Sequence, residues 1–198
     1  MWTVPDPWSY SYLLGMYLGD GWVGPPSRPN RLCFTLDEAY PEIISETIVA
    51  IQLAAFFNPV TTRHHRNDAG IVVTCCANHW GDAFPQYGPG RKHSRPIVLA
   101  DWQRAVADRH PEQFLRGLIH SDGCRTVNRF NTNLPSGRVA EYEYPRYFFS
   151  NLSADIRALF CEYCERLGVR WTQSNHRNIS VSHRRSVAIL DGFIGPKS

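Results

Sequence analysis

Two stretches of this chain repeat one another, and that repeat constrains the fold more than any other feature. Leu13-Leu14-Gly15-Met16-Tyr17-Leu18-Gly19-Asp20-Gly21 is answered half a chain later by Leu115-Arg116-Gly117-Leu118-Ile119-His120-Ser121-Asp122-Gly123. Each copy places small residues four apart, Gly15 and Gly19 in the first, Gly117 and Ser121 in the second. Each then closes on Asp-Gly. The pattern describes an apolar helix with a flat seam, along which a second helix backbone can approach closely. It also puts one carboxylate, Asp20 or Asp122, at each helix's C-terminal end. Two copies predict two similar half-domains that meet along these helices.

The residues around the motifs repeat as well. After the first copy comes a Pro/Gly-rich loop at 24–30, then an alternating strand at 31–36 with Leu32, Phe34 and Leu36 on one face. A helix is expected over 40–56, strands over 60–66 and 71–76 around the turn Asn67-Asp68-Ala69-Gly70, and a short helix near 78–84. Gly88-Pro89-Gly90-Arg91-Lys92 follows. In the second half, 125–137 reads as loop and 141–150 as a strand interrupted or bent at Pro145. Residues 153–167 read as a helix capped by Ser153 and Gly168. Strands over 169–174 and 178–183 surround Asn175-His176-Arg177, and a last helix over 185–193 leads to Gly195-Pro196-Lys197. The order is α-β-β-α-β-β-α, twice: an α+β fold with half-domains 1–92 and 114–198. A linker, 93–113, joins them and contains a helix near 101–108. The unit is far longer than a solenoid repeat.

Composition narrows the class. With 43% hydrophobic and 13% aromatic residues among 198, a packed core is within reach. No run of about 20 apolar residues exists to span a membrane, and the N-terminus lacks a signal-peptide pattern. An intracellular protein is expected, so the 6 cysteines are not read as a disulfide framework. Cys161 and Cys164 fit an amphipathic helix better than a zinc site, for want of a second ligand pair. All but two of the 21 basic residues are Arg, and the excess of bases lies in the second half. Arginine suits bidentate contacts with phosphate and guanine.

Close packing of the two motif helices would bring Asp20 and Asp122 together. Each carboxylate then sits at the negative end of a helix dipole and faces its twin, which is unfavourable twice over. A hard divalent cation relieves both penalties, and oxygen ligands suit Mg²⁺. Metals paired on phosphate oxygens are a recognised route to phosphodiester hydrolysis.

The two motifs and the order of elements around them resemble the LAGLIDADG homing endonucleases in their single-chain, two-motif form. The resemblance runs from about Ser11 to the C-terminus. Leu18 and His120 depart from the motif, at the position of its first Asp. The resemblance implies an Mg²⁺-dependent, sequence-specific endonuclease that makes a double-strand break in DNA, with Mn²⁺ or Ca²⁺ able to replace Mg²⁺ in binding. It would act as a monomer in the cytoplasm, associated with the nucleoid. Asp20 and Asp122, with Gly19 and Ser121 beside them, would form the metal site. Lys92 and Lys197, the only lysines, each follow a Gly-Pro element and would stabilise charge or position water. In the family, paired antiparallel sheets form a saddle over DNA.

Strand alternation then assigns the outward side chains. In the first half these are Arg31, Thr35, Thr61, Arg63 and His65. In the second they are Arg146, Ser150, Arg170, Thr172, Ser174, Ser180 and Ser182. Arg28, Arg125, Arg129, Arg138 and Arg177 are expected on loops, within reach of flanking phosphates. The alternative is a DNA-binding regulator or RNA-splicing maturase that does not cut. Both motif acids are retained, which favours cutting. An intein endonuclease is disfavoured, because no splicing block flanks the repeat.

Overall fold

The computed structural model describes residues 3–24, 30–65, 69–133 and 135–195. Arg28, Lys197 and Asn67-Asp68 of the expected turn lie outside the described residues. The first half comprises α1 (Pro7–Gly19), β1 (Trp22–Val23), β2 (Arg31–Asp37), α2 (Pro41–Ala54), β3 (Val60–His64), β4 (Gly70–Cys76) and α3 (Trp80–Ala83). A 3₁₀ turn at Lys92–Ser94 and α4 (Asp101–Arg109) follow. The second half comprises α5 (Pro111–Asp122), β5 (Gly123–Asn133), β6 (Val139–Ser150), α6 (Ala154–Arg166), β7 (Thr172–Gln173), β8 (Asn178–Val181) and α7 (Arg184–Asp191). The strands form two antiparallel sheets of identical topology, β1-β2-β4-β3 and β5-β6-β8-β7. The duplication inferred from the sequence is therefore a duplication of fold.

Both motif helices start earlier than their apolar runs. Asp6 caps α1, its carboxylate accepting from the Ser9 N–H at 3.2 Å, and Pro7 and Pro111 occupy first-turn positions where no backbone donor is needed. Every residue from Ser9 to Leu18 is buried, so α1 is enclosed on all sides. The seam with α5 is as tight as the glycines allow. A Cβ on Gly15 would fall 2.8 Å from the Leu118 amide nitrogen, and one on Gly117 would fall 2.8 Å from that of Met16. Both obstacles are backbone, which cannot rotate aside.

The position that departs from the motif has a packing role in each half. Leu18 is fully buried. His120 is buried between Tyr12 and the chain near the C-terminus: its Nε2 lies 3.1 Å from the Ile194 carbonyl and its Nδ1 3.1 Å from the Tyr12 hydroxyl. Since a carbonyl only accepts, Nε2 carries a proton and donates it to Ile194. Alongside, Arg116 pairs with Glu46 at 2.8 Å and donates to the Phe193 carbonyl. These polar groups tie α5 to α1, α2 and the C-terminal segment.

The linker is a packed element. Gln103 of α4 is buried, donating to the Tyr10 hydroxyl at 2.9 Å, while Arg104 pairs with Glu162 and Asp108 accepts from Tyr163. The helix thus holds both halves. Cys161 and Cys164 are buried in α6 as free thiols, and burial pushes both up.

The sheet registers agree with the expected faces, and Leu32, Phe34 and Leu36 pair opposite Cys75, Val73 and Ile71 over the core. Four expectations need correction. Residues 125–133 are not loop; they belong to β5, paired along its whole length with β6. Beyond the core this hairpin mixes polar and apolar residues on both faces, with exposed Val127 and Val139 on one and Tyr142 on the other, so no apolar alternation betrays it. Pro145 does not interrupt β6. It lies opposite Val127, beyond the residues where β6 pairs with β8, so its missing N–H faces an open edge. Only Thr172–Gln173 of 169–174 pairs as strand, which leaves Arg170 and Ser174 flanking it. Ser182 likewise follows the end of β8.

Candidate active site

The C-terminal ends of α1 and α5 open into one cavity of about 570 Å³. Asp20 and Asp122 both line it, with Lys92, Asn151, Arg91 and Arg177. Asp20 caps α1, and its N–H closes the helix onto Met16. Asp122 is the last residue of α5, and the chain turns directly into β5 at Gly123. Sequence reasoning placed the two carboxylates together, and the structure brings them together.

Lys92 reaches this point from the loop after α3. Its Nζ donates to the carbonyls of Tyr17, Gly19 (2.8 Å) and Gly21 (2.9 Å), and it lies 5.0 Å from the Tyr17 ring centroid. Tyr17 and Gly19 lie in the last turn of α1, where carbonyls run short of intrahelical donors, and the Tyr17 carbonyl also accepts from the Gly21 N–H at 3.2 Å. Lys92 therefore closes α1 and sets a positive charge against the negative end of its dipole. Burial lowers its pKa to about 8, against the opposing attraction of Asp122 and then Asp20. The loop that delivers it is gathered by Arg95, which donates to the carbonyls of Gln86, Gly88 and Pro89 at 2.6–2.8 Å.

Asn151 was not anticipated. Its Nδ2 donates to Asp122 Oδ2 at 2.6 Å, while its Oδ1 accepts from the Ser153 N–H at 2.7 Å. The second bond fixes which way the amide faces. Its backbone is held in turn, accepting from Arg157 and donating to the Arg177 carbonyl. One signal was legible: Asn151 precedes the Ser153 helix cap, a position where Asn makes local turns.

The donors that face a cation here are oxygens. Among the described residues no group of three or more His, Cys, Asp or Glu side chains is placed to hold a metal ion. Two carboxylates beside backbone carbonyls are the donor set of a hard ion that keeps waters and takes further ligands from phosphate. The Gly19 carbonyl faces this region and already accepts from Lys92. The Ser121 hydroxyl turns back to the carbonyls of Gly117 and Leu118, at 3.0 Å each.

The remaining expected contact residues separate by face. Arg31, Thr35 and Arg63 are exposed on the side of the first sheet away from the core, with Thr61 beside them. His65 is partly buried just past β3. In the second half, Ser150, Arg170, Thr172, Ser174 and Ser182 are exposed, and Arg138 is exposed beside the hairpin turn. Arg146 lies over Phe148 and donates to Ser180 at 2.6 Å. Ser180 is consequently 1% exposed and is covered rather than presented. Arg125 and Arg129 share a face with buried Tyr147, the helix side of the sheet, and pair with Asp191 and Glu143.

No protein-family model and no curated protein matches this sequence. Solved structures do. The LAGLIDADG meganuclease I-AabMI bound to uncleaved DNA superposes with a TM-score of 0.58 at 10% identity, covering 95% of this chain and 84% of its own. I-LtrWI bound to target DNA gives 0.57 at 10% identity, covering 96% and 82%. I-DmoI, in complex with DNA and Mn, gives 0.54 at 13% identity, covering 96% and 97%. The chain has the LAGLIDADG homing-endonuclease fold. At such identities the fold is what the likeness establishes. Within that fold, Asp20 and Asp122 end the two helices that carry the repeated motif. Among the described residues, no helix is long and apolar enough to cross a membrane.

Proposed function

We propose that this protein is a sequence-specific DNA endonuclease, active as a monomer, that hydrolyses one phosphodiester in each strand of a duplex. One observation carries the reading: Asp20 and Asp122 meet at a single cavity, at equivalent ends of equivalent helices, with Lys92, Arg91 and Arg177 around them. Lys92 offsets part of the charge gathered at these two negative helix ends, and a divalent cation would offset the rest. The DNA in the I-AabMI and I-LtrWI structures, and the DNA and Mn in that of I-DmoI, point the same way.

The oxygen-only donor set fits a divalent cation, Mg²⁺ first, with Mn²⁺ or Ca²⁺ as substitutes. Asp20, Asp122 and the Gly19 carbonyl would hold it, while Ser121 serves the helix seam through its bonds to its own helix. Such an ion would supply an activated water and charge for the leaving oxygen. The protein's own groups do the rest. Asn151 holds the Asp122 carboxylate in one rotamer. Lys92 keeps the end of α1 in register and offsets the negative charge that grows on an attacked phosphate. DNA would lie along the outward faces of both sheets. Arg31, Thr35, Thr61, Arg63, Arg146, Ser150 and Thr172 would contact phosphates and base edges there. Half-domains 1–92 and 114–198 would each take one half of the site, with 93–113 between them.

The test is substitution of each acid. Asp20→Asn and Asp122→Asn should each reduce double-strand cleavage on the order of a hundredfold or more, while DNA binding and thermal stability persist. Full cleavage by both variants would overturn the proposal.

A further inference from the structure

Two large apolar side chains at the mouth of the cavity have no role in the chemistry described so far. Trp22 is 52% exposed and Leu152 53% exposed, and both line the cavity with the two aspartates. Each is adjacent in sequence to a residue of the site: Trp22 follows Asp20-Gly21, and Leu152 follows Asn151. Neither is a core residue that slipped outward. Val23, the partner of Trp22 in β1, is buried opposite Leu32, so alternation turns Trp22 to the face that carries Arg31 and Thr35. The ring has a seat. A Cβ on Gly24 would stand 3.3 Å from Trp22 Cη2, so the indole lies against a residue that has no side chain.

Exposing an indole and an isobutyl group to water is unfavourable, and here both are set among Arg91, Lys92 and Arg177. A polyanion is thereby drawn over an apolar surface. A duplex offers apolar surface only between stacked bases or in its grooves. Proteins reach it by inserting side chains that partly unstack a base step and kink the helix. We propose that Trp22 and Leu152 form an apolar wedge that enters the base stack of duplex DNA at the step between the two cleavage positions. The substrate is therefore a duplex whose centre unstacks readily, such as a pyrimidine–purine step. This rests on the endonuclease reading above and adds to it a means of selecting the central sequence.

The test uses two fixed 30-base-pair duplexes of one sequence, fully paired or carrying a central two-base mismatch. Titrations are made with the intact protein at low salt, in Ca²⁺. The mismatch removes the unstacking cost in advance, so the protein should bind that duplex about tenfold tighter. In Trp22→Ala/Leu152→Ala the ratio should fall to near one, because nothing remains to occupy the opened step. Trp22→Phe should restore most of it, since another ring can stack. Both side chains are more than half exposed, so the variants should unfold at the wild-type temperature. If the wild type shows no preference, or the double variant keeps it, the wedge is overturned while DNA binding stands. If neither duplex is bound at low salt, where phosphate contacts alone should hold any sequence, DNA binding is absent and the endonuclease reading fails with it.

Discussion

Asp191, at the end of α7, accepts two hydrogen bonds from Arg125, at 2.8 and 3.0 Å, and one from the Tyr147 hydroxyl at 2.6 Å. These contacts tie α7 to the base of the β5–β6 hairpin. The Arg125 guanidinium, with help from Tyr147, holds the Asp191 carboxyl below the usual carboxylate range. A pKa lower in the folded than in the unfolded chain stabilises the fold above the unfolded value, near 4. That contribution is lost as the pH falls through the folded value. The Asp191 side chain is 36% exposed, so solvent screening keeps the contribution under about 1 kcal/mol. Asp191→Asn should lower stability by this amount at pH 7 and leave it unchanged near pH 2, as read from urea unfolding. An equal loss at both values would mean that packing, and not charge, is what the substitution removes. The same residue explains why Arg125 could not be placed from the sequence. An isolated Arg after the motif looks free for phosphate, and its acid partner is 66 residues away.

At the scale of elements, the helix seam is the feature that the repeat made legible. Gly117 faces the Tyr12 carbonyl and the Met16 amide, and no rotamer change can make room there. Gly117→Ala should therefore destabilise by about 3 kcal/mol, although alanine is the better helix former by about 1 kcal/mol. Thermal unfolding checks this, and a variant as stable as the parent would show that the helices separate more easily than the seam implies. Elements that bury one face were readable for the same reason: β2, β4, α2 and α6 carry their periodicity openly. The long hairpin was not, since Thr126, Asn128, Arg129 and Asn131 meet no core that would select an apolar pattern. β1 is two residues long and leaves no periodicity at all. Within the site, the aspartates and Lys92 were legible from the repeat. Asn151 and Arg95 were not, because their roles depend on partners that only the folded chain brings near.

At the scale of the whole molecule, the two halves share one topology but differ in reach. The paired part of the first hairpin is limited by β1, whereas β5 pairs with β6 over 11 residues. At about 3.4 Å per residue that hairpin is roughly 35 Å long. A duplex laid along both sheets would be contacted farther from the cavity on the side of the second half. The central claim, that this fold with these two aspartates cuts DNA, is tested most directly with a randomised duplex library. The purified protein is incubated with the library and Mg²⁺, in parallel with an EDTA control, and the new ends are sequenced. The account predicts ends that recur at one sequence only with metal, and base preferences that extend farther to one side of the cut. A library left intact in Mg²⁺, or cut equally in EDTA, would contradict it.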